Sequence, residues 1–303
     1  MRGRRARLAQ RARRDAENGG SPVADPRLAI GVDVGGSGIK AAVVDLDEGR
    51  FASDRLRVPT PVPSTPDKVG ASIGRLVKRL VNATEVGPNA PVGIGLPGVV
   101  LDGVLKTAAN IDAAWIEYPI TQKLTKSLKR PVTIANDADA AGTAEMRFGI
   151  GAGKSGVVVL LTLGTGVGSA VFVDGKLVPN TEFGQMEIRG RPAERRSASV
   201  ARTRRGLSWK AWAQDLDEHL IRIDELIWPE LIILGGGVSK NADKYVPRLT
   251  VRPPVVAAQL RNDAGIIGAA VIAAEAAERA AAEPPGTEPV AVGAGADAEN
   301  GAR

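Results

Sequence analysis

Twice along this chain a short apolar run stops at a cluster of glycines and a second apolar run begins at once. Residues 28–34 lead into Asp33-Val34-Gly35-Gly36-Ser37-Gly38-Ile39-Lys40, and residues 40–46 follow. Residues 156–162 lead into Leu163-Gly164-Thr165-Gly166-Val167-Gly168-Ser169, and residues 169–173 return. Strand-forming runs joined across glycine read as β-hairpins, because glycine supplies the backbone angles that tight turns need. Each unit is followed by further helix and strand patterns. Helical spacing spans 68–81 (Val69, Ile73, Leu76, Val77, Leu80), a strand run spans 92–96, and another at 131–135 leads into an alanine-rich helix over 137–148. After the second unit, Ser208 is positioned to cap a helix whose stripe is Trp209, Trp212, Leu216, Leu220, Ile223 and Ile227. Pro229 is expected to end it. A buried-type strand at 231–234 opens onto Gly235-Gly236-Gly237, and a last helix covers 264–277. A duplicated α/β plan with a ligand-binding cleft between its halves follows. The expected divisions are 28–135, 136–262 and a C-terminal helix at 263–278 packing back on the first half, with tails at 1–27 and 279–303.

Composition removes several classes of function. The 303 residues contain no cysteine and one histidine, which excludes disulfides, thiolate catalysis, cysteine-ligated zinc and histidine-rich metal sites. Aromatic residues make up 3%, too few for base-stacking platforms, so nucleic acid is not an expected partner. No apolar run approaches the roughly 20 residues of a spanning helix, and the arginine-rich start lacks the apolar core of a signal peptide. A cytoplasmic protein without membrane contact is expected. Part of the net charge of +6 sits in the segment from Arg2 to Arg14, which has no apolar periodicity and reads as a disordered, solvated tail.

Glycines at a hairpin tip let backbone N–H groups converge on an anion. At the first tip Asp33, Gly35, Gly36, Ser37, Gly38 and Lys40 are candidates to hold phosphate, and Asp33 could hold a hydrated Mg²⁺ beside it. The segment is neither a Walker A loop nor a dinucleotide fingerprint, since a strand follows it. At the second tip Gly164, Thr165 and Gly166 repeat the chemistry with an added hydroxyl. Gly235, Gly236 and Gly237 form a third turn at a strand end, suited to backbone approach to a nucleotide. Any one of these could be a plain bend; three together favour phosphate or nucleotide binding.

These segments, with Gly95-Leu96-Pro97-Gly98 and Asn136-Asp137-Ala138, resemble the ROK family of sugar kinases and repressors over residues 29–274. Within it the likeness is to the actinobacterial-type polyphosphate glucokinases, through Asn110-Ile111-Asp112, Leu177-Val178-Pro179-Asn180-Thr181-Glu182, Ala193-Glu194-Arg195 and Gly206-Leu207-Ser208-Trp209-Lys210-Ala211-Trp212. The resemblance implies duplicated actin-like ATPase (ribonuclease H-like) domains, a homodimer, Mg²⁺, and phosphoryl transfer from polyphosphate or ATP to the 6-hydroxyl of glucose or a similar hexose. It implies Asp137 as general base, with capping of the helix that begins there as the alternative role. It further implies that Gly98, Asn110, Asn136, Glu182, residue 185 and Glu194 line the sugar pocket. Where the family usually has His after Glu-x-Gly, this chain has Gln185, so altered hexose affinity or epimer preference is expected. Many relatives carry a cysteine-rich zinc motif beyond that point. Here the segment holds no cysteine, so zinc is not expected, and it has Arg189, Arg191, Arg195, Arg196, Arg202, Arg204, Arg205 and Lys210 instead. It is either a solvated charged loop or a track for a long polyanion. An ATP-dependent hexokinase or mannokinase is the alternative enzyme, and a non-catalytic sugar binder a further one. A repressor would need a DNA-binding region longer than residues 1–27. His219 is expected to be structural and remote from these motifs, and Trp209 and Trp212 to be core or subunit-interface residues.

Overall fold

The computed structural model describes residues 27–108 and 111–282, so Asn110, the tail at 1–26 and residues 283–303 lie outside the described residues. The first hairpin forms over β1 (Leu28–Gly35) and β2 (Gly38–Asp45), in antiparallel register from Leu28 opposite Asp45 to Gly35 opposite Gly38. Gly36 and Ser37 remain as its exposed tip. Two short strands, β3 (Arg50–Phe51) and β4 (Leu56–Val58), pair with β2. Helix α1 (Pro66–Ala83) starts on a proline, whose missing N–H costs a first helical turn nothing, and buries Val69, Ile73, Leu76, Val77 and Leu80. Strand β5 (Val92–Leu96) runs parallel to β1. A small hairpin, β6 (Val100–Leu101) and β7 (Val104–Leu105), and helix α2 (Ile120–Leu128) lead to β8 (Val132–Asn136), parallel to β5.

Helix α3 (Asp137–Phe148) connects to a second sheet of the same design. It begins with the hairpin of β9 (Val157–Leu163) and β10 (Val167–Val173), edged by β11 (Lys176–Val178). A two-stranded ribbon, β12 (Glu187–Ile188) and β13 (Arg191–Pro192), precedes α4 (Glu194–Ser197), α5 (Ser199–Arg204) and the long α6 (Trp209–Ile227). Strands β14 (Leu231–Gly235) and β15 (Val255–Ala257) then add in parallel beside β9. The strand orders are β3-β2-β1-β5-β8 and β11-β10-β9-β14-β15. In both, a central strand has its hairpin partner on one side and two parallel strands on the other, which is the actin-like arrangement.

Helix α7 (Ala264–Ala282) lies on β1, β5 and α3 at backbone contact. A Cβ at Gly31 would sit 1.9 Å from the Ile266 carbonyl oxygen, one at Gly93 1.8 Å from that of Ala269, and one at Gly268 1.6 Å from that of Ala140. One apolar core lies under the first sheet around Ile73, Leu76 and Trp115; another lies between the second sheet and α6 around Trp212, Leu216 and Tyr245.

Three of the boundaries that differ from the sequence reading have a plain physical reason. Strand β10 starts at Val167, because Val167 and Gly168 pair with Leu163 and Thr162 rather than turning. Helix α7 runs to Ala282, so Arg279–Ala282 are helical and not tail; the alanine run propagates it, and Glu278 is ion-paired with Arg27. Helix α6 is capped by Ser208 as expected but stops on Trp228 in the left-handed region (φ 50°), one residue before Pro229. Among the described residues no helix is long and apolar enough to cross a membrane.

Candidate active site

Asp137 is the first residue of α3, at the edge where the first sheet hands over to the second. It does not cap that helix: the Asn136 side chain does, its Oδ1 accepting from the N–H groups of Ala138 (2.8 Å) and Asp139 (3.1 Å). The Asn136 amide also donates to the Gly98 carbonyl at 3.1 Å. Asp137 is thereby freed of structural duty. Gly168 of β10 passes directly beneath it, and a Cβ there would meet Thr162 Oγ1 at 2.6 Å and Ala138 Cβ at 2.9 Å. Burial, followed by the charges of Asp33, Glu182 and Asp139, pushes the Asp137 carboxyl up to about 7.

A cleft of about 160 Å³ between the two sheets is lined by Asp33, Lys40, Asp137, Thr162, Gly235 and Gly236, with Arg261 and Asn262 also on its wall. Asp33 and Lys40, which flank the first glycine turn, and Gly235 and Gly236 of the third therefore face one space, while Gly35, Gly36, Ser37 and Gly38 and the second turn's Gly164, Thr165 and Gly166 do not line it. Lys40 Nζ lies 2.8 Å from Asp33 Oδ2, so the cation that the sequence offers to phosphate is already engaged. Arg261, held at φ 52°, lines the same space and makes no ion pair among the described residues. At the first tip the Arg57 guanidinium packs on Gly38 and donates to the Ser37 carbonyl at 3.3 Å. The third turn rests against the end of β9: Gly236 adopts φ 81°, and a Cβ on it would lie 2.5 Å from the Leu163 carbonyl oxygen. Gly164 and Gly166 close the second tip through a 3.0 Å backbone bond, with Thr165 exposed between them and Gly237 open to solvent beyond the third.

The carboxylates expected around a sugar gather beside Asp137. The Glu182 carboxyl is raised by burial and then by the charge of Glu194, and that of Asp139 is pushed up to about 6 by burial and then Glu182. Glu194 Oε2 accepts the Val167 N–H at 3.1 Å, and Gln185 Nε2 donates to Glu194 Oε1 at 3.3 Å. Gly98 has φ 149°, where a Cβ would strike the Thr107 carbonyl oxygen at 2.5 Å. Sequence reasoning missed Asp139 and Asn180 as site residues. Asp139 Oδ2 accepts the Asn180 N–H (2.9 Å), while the Asn180 amide brackets Val100, accepting from its N–H and donating to its carbonyl at 2.8 Å each. This pair ties the β6–β7 hairpin to the loop after β11. The density of Asp and Asn around Asp137 was the available signal.

The arginine-rich segment forms the wall of a groove of about 690 Å³, lined by Arg189, Arg191, Arg195, Arg196, Arg204 and Arg205. Arg196 and Arg205 both pair with Asp215, and Arg189 with Glu218. Arg191, Arg195 and Arg204 make no ion pair among the described residues. Two members of the expected track, Arg202 and Lys210, do not line the groove. Arg202 stacks instead on Trp209, with its guanidinium carbon 3.8 Å from the ring centroid. Helix α5, which ends in the groove residue Arg204, is tied at its start to the second glycine turn, since Val200 N–H donates to the Gly164 carbonyl at 3.1 Å. Trp212 is fully buried against Tyr245. His219 is buried as expected but not remote: it contacts Phe183, inside the Glu182–Gln185 segment.

Comparison with known proteins gives a family model described as "ROK family" that matches residues 29–188. A polyphosphate glucokinase of Mycobacterium tuberculosis is 48% identical over 246 residues, covering 81% of this chain and 91% of that protein. The crystal structure of an inorganic polyphosphate/ATP-glucomannokinase from Arthrobacter sp. strain KM superposes with TM-score 0.79 at 48% identity, over 82% of this chain and 99% of the other. That of a glucokinase from Streptomyces griseus, in complex with glucose and AMPPNP, gives TM-score 0.71 at 28% identity, over 82% and 99%.

Proposed function

The chain belongs to the ROK family, and from that premise we propose that it is a polyphosphate-dependent glucokinase, able also to use ATP, that phosphorylates the 6-hydroxyl of glucose. The observation that carries this reading is a carboxyl raised to about 7, Asp137, standing between a hexose-type cluster of Asn136, Glu182, Gln185 and Glu194 and a cleft bordered by glycine turns. Phosphoryl transfer asks a protein mainly to position its reactants and neutralise charge. In this reading Asp137 accepts the hydroxyl proton as the sugar oxygen bonds to the terminal phosphorus and the bond from phosphorus to the donor's bridging oxygen breaks. Backbone N–H groups of the glycine turns receive the donor phosphates, and Arg261 adds the free positive charge that Lys40, paired with Asp33, does not.

Among the described residues no group of three or more His, Asp or Glu is clustered to hold a metal by itself. The side chains suit Mg²⁺ nonetheless, because that ion is usually held by one or two carboxylates plus substrate phosphates and water. Asp33 would be its protein partner, through water, and the ion would neutralise the phosphate oxygens. A homodimer follows from the family resemblance. A cytoplasmic location fits a kinase without cysteines or a membrane-crossing helix among the described residues.

The preference for polyphosphate rests on the arginine groove, tied through helix α5 to the second glycine turn, while the turn at Gly235–Gly237 supports use of ATP. The deciding assay offers purified protein glucose, Mg²⁺ and either donor while glucose 6-phosphate is followed. No product with either would end the kinase reading, and product from ATP alone would end the polyphosphate one. Replacing Arg195 and Arg204 by Ala is expected to raise the KM for polyphosphate about tenfold and leave that for ATP within about twofold. The dependence of log KM on log salt should become shallower by about 0.7–0.9 for each phosphate that is no longer neutralised. Gln185→His is expected to lower the KM for glucose or mannose with little change in kcat, and an unchanged KM for both sugars would remove the role assigned to Gln185.

A further inference from the structure

We infer that His219 is a positioning residue for the hexose pocket, clamping from helix α6 the two segments that carry Glu182 and Glu194. It touches no proposed substrate itself. The inference rests on the sugar pocket proposed above and adds to it a residue that no motif marks.

The imidazole is fully buried and both its nitrogens are used. Nε2 lies 3.0 Å from the Phe183 carbonyl oxygen, and Nδ1 lies 2.9 Å from Ser197 Oγ. A carbonyl only accepts, so Nε2 carries the proton. Burial lowers the imidazole to about 4, which keeps it neutral at physiological pH and makes Nδ1 an acceptor. The single proton of the Ser197 hydroxyl is then shared between Nδ1 and the Ala193 carbonyl, which lies 2.9 Å from Oγ. One ring thus reaches the turn between Glu182 and Gln185 with one nitrogen, and the helical turn beginning at Glu194 with the other.

The clamp has an anvil. On the far side of the Phe183–Gln185 turn, Gly184 is pressed on β10 so closely that a Cβ would lie 2.1 Å from the Val167 carbonyl oxygen. Ser169 Oγ of the same strand accepts the Phe183 N–H at 2.9 Å and donates to the Thr181 carbonyl at 2.7 Å. The turn is therefore fixed between β10 and His219. With the imidazole gone, the Phe183 carbonyl and the Ser197 hydroxyl lose their shared anchor, and the spacing of Glu182 and Glu194 is no longer imposed. Asp33, Lys40 and Gly235 of the donor cleft share no hydrogen bond with His219, Phe183 or Ser197, so ATP use is left intact, whereas Arg195 and Arg196 of the polyphosphate groove share the helical turn of Ser197 and would shift with it. Displacements of about 1 Å in groups that orient a substrate are enough for large losses.

The test compares wild type with His219→Phe, which keeps the volume and removes both hydrogen bonds, and His219→Gln, which restores a donor. Glucose KM, direct glucose affinity by calorimetry, ATP KM, kcat with ATP and thermal melting are measured on each. For His219→Phe a rise of about tenfold in both glucose KM and Kd is expected, with ATP KM and kcat within about twofold; His219→Gln should recover part of the loss. Should His219→Phe fail to fold, Ser197→Ala replaces it, with an expected rise of about threefold. A folded His219→Phe protein with unchanged glucose affinity overturns the inference. So does a loss spread equally over glucose, donor and kcat, which marks a merely structural residue. A wild type that neither binds nor phosphorylates glucose overturns the pocket assignment as well, so the two failures are distinguishable.

Discussion

Asp137→Asn is expected to lower kcat by about 10²–10⁴-fold, the usual contribution of a positioned general base, while leaving glucose affinity within a few-fold. The neighbouring Asn136, Glu182 and Glu194 keep their geometry, because the helix cap belongs to Asn136 and not to Asp137. In the wild type kcat/KM for glucose should rise with pH and level off above about 7, since the carboxyl must be ionised to take a proton and burial raises it to about that value. The same shift carries a stability consequence of opposite sense. A carboxyl raised in the folded state binds its proton more tightly there than in the unfolded chain, so the stability it confers is complete below about 4 and is lost as pH climbs through 7. The Asn variant lacks this loss. Its melting temperature should match the wild type near pH 4 and exceed it by a few degrees at pH 8. Calorimetry at both pH values checks this alongside the assay of glucose 6-phosphate. A variant with full activity, or one less stable than wild type at pH 8, would contradict the assignment.

The second large effect is on the fold. Gly268→Ala places a methyl group 1.6 Å from the Ala140 carbonyl oxygen, a backbone atom of α3 that moves only if the helix moves. Overpacking of this kind costs about 1–3 kcal/mol or more. A melting temperature lowered by about 2–12 °C, or insoluble protein, is expected, given about 2–4 °C per kcal/mol for a chain of this size. Gly74 is the control. It lies within α1 with nothing in reach of its Cβ, so Gly74→Ala should be neutral or stabilising by up to about 1 kcal/mol. Equal melting of the Gly268 variant and wild type would show that α7 can move off α3.

Much of this arrangement is legible in the sequence because its determinants are local. The two glycine hairpins, the α1 stripe and the capped α6 follow from turn chemistry and apolar spacing, which act over a few residues. Strands β3, β4, β6, β7, β12, β13 and β15 are only two or three residues long, too short for any local pattern to mark them. Asp137 and the glycine turns stood out through motif resemblance, whereas Asn180, Asp139 and Arg261 became site residues only once the two sheets were brought together. His219 shows the limit most clearly. Its place on a helical stripe looks like ordinary core, and only the tertiary contact with Phe183 and Ser197 relates it to the pocket. Within the arginine-rich segment, position alone could not separate Arg196 and Arg205, which serve Asp215, from Arg191, Arg195 and Arg204, which are free to meet an anion.

The crossing of α3 and α7 at Gly268 and Ala140 has a mechanical meaning. Two helices in backbone contact cannot slide past each other without collision, but they can roll, so the crossing is the natural axle for any rocking of one half of the molecule against the other. Points near an axle travel least. Asp137 lies one helical turn from Ala140, on the same helix. Any such rocking would then leave the proposed base almost still while the halves move about it.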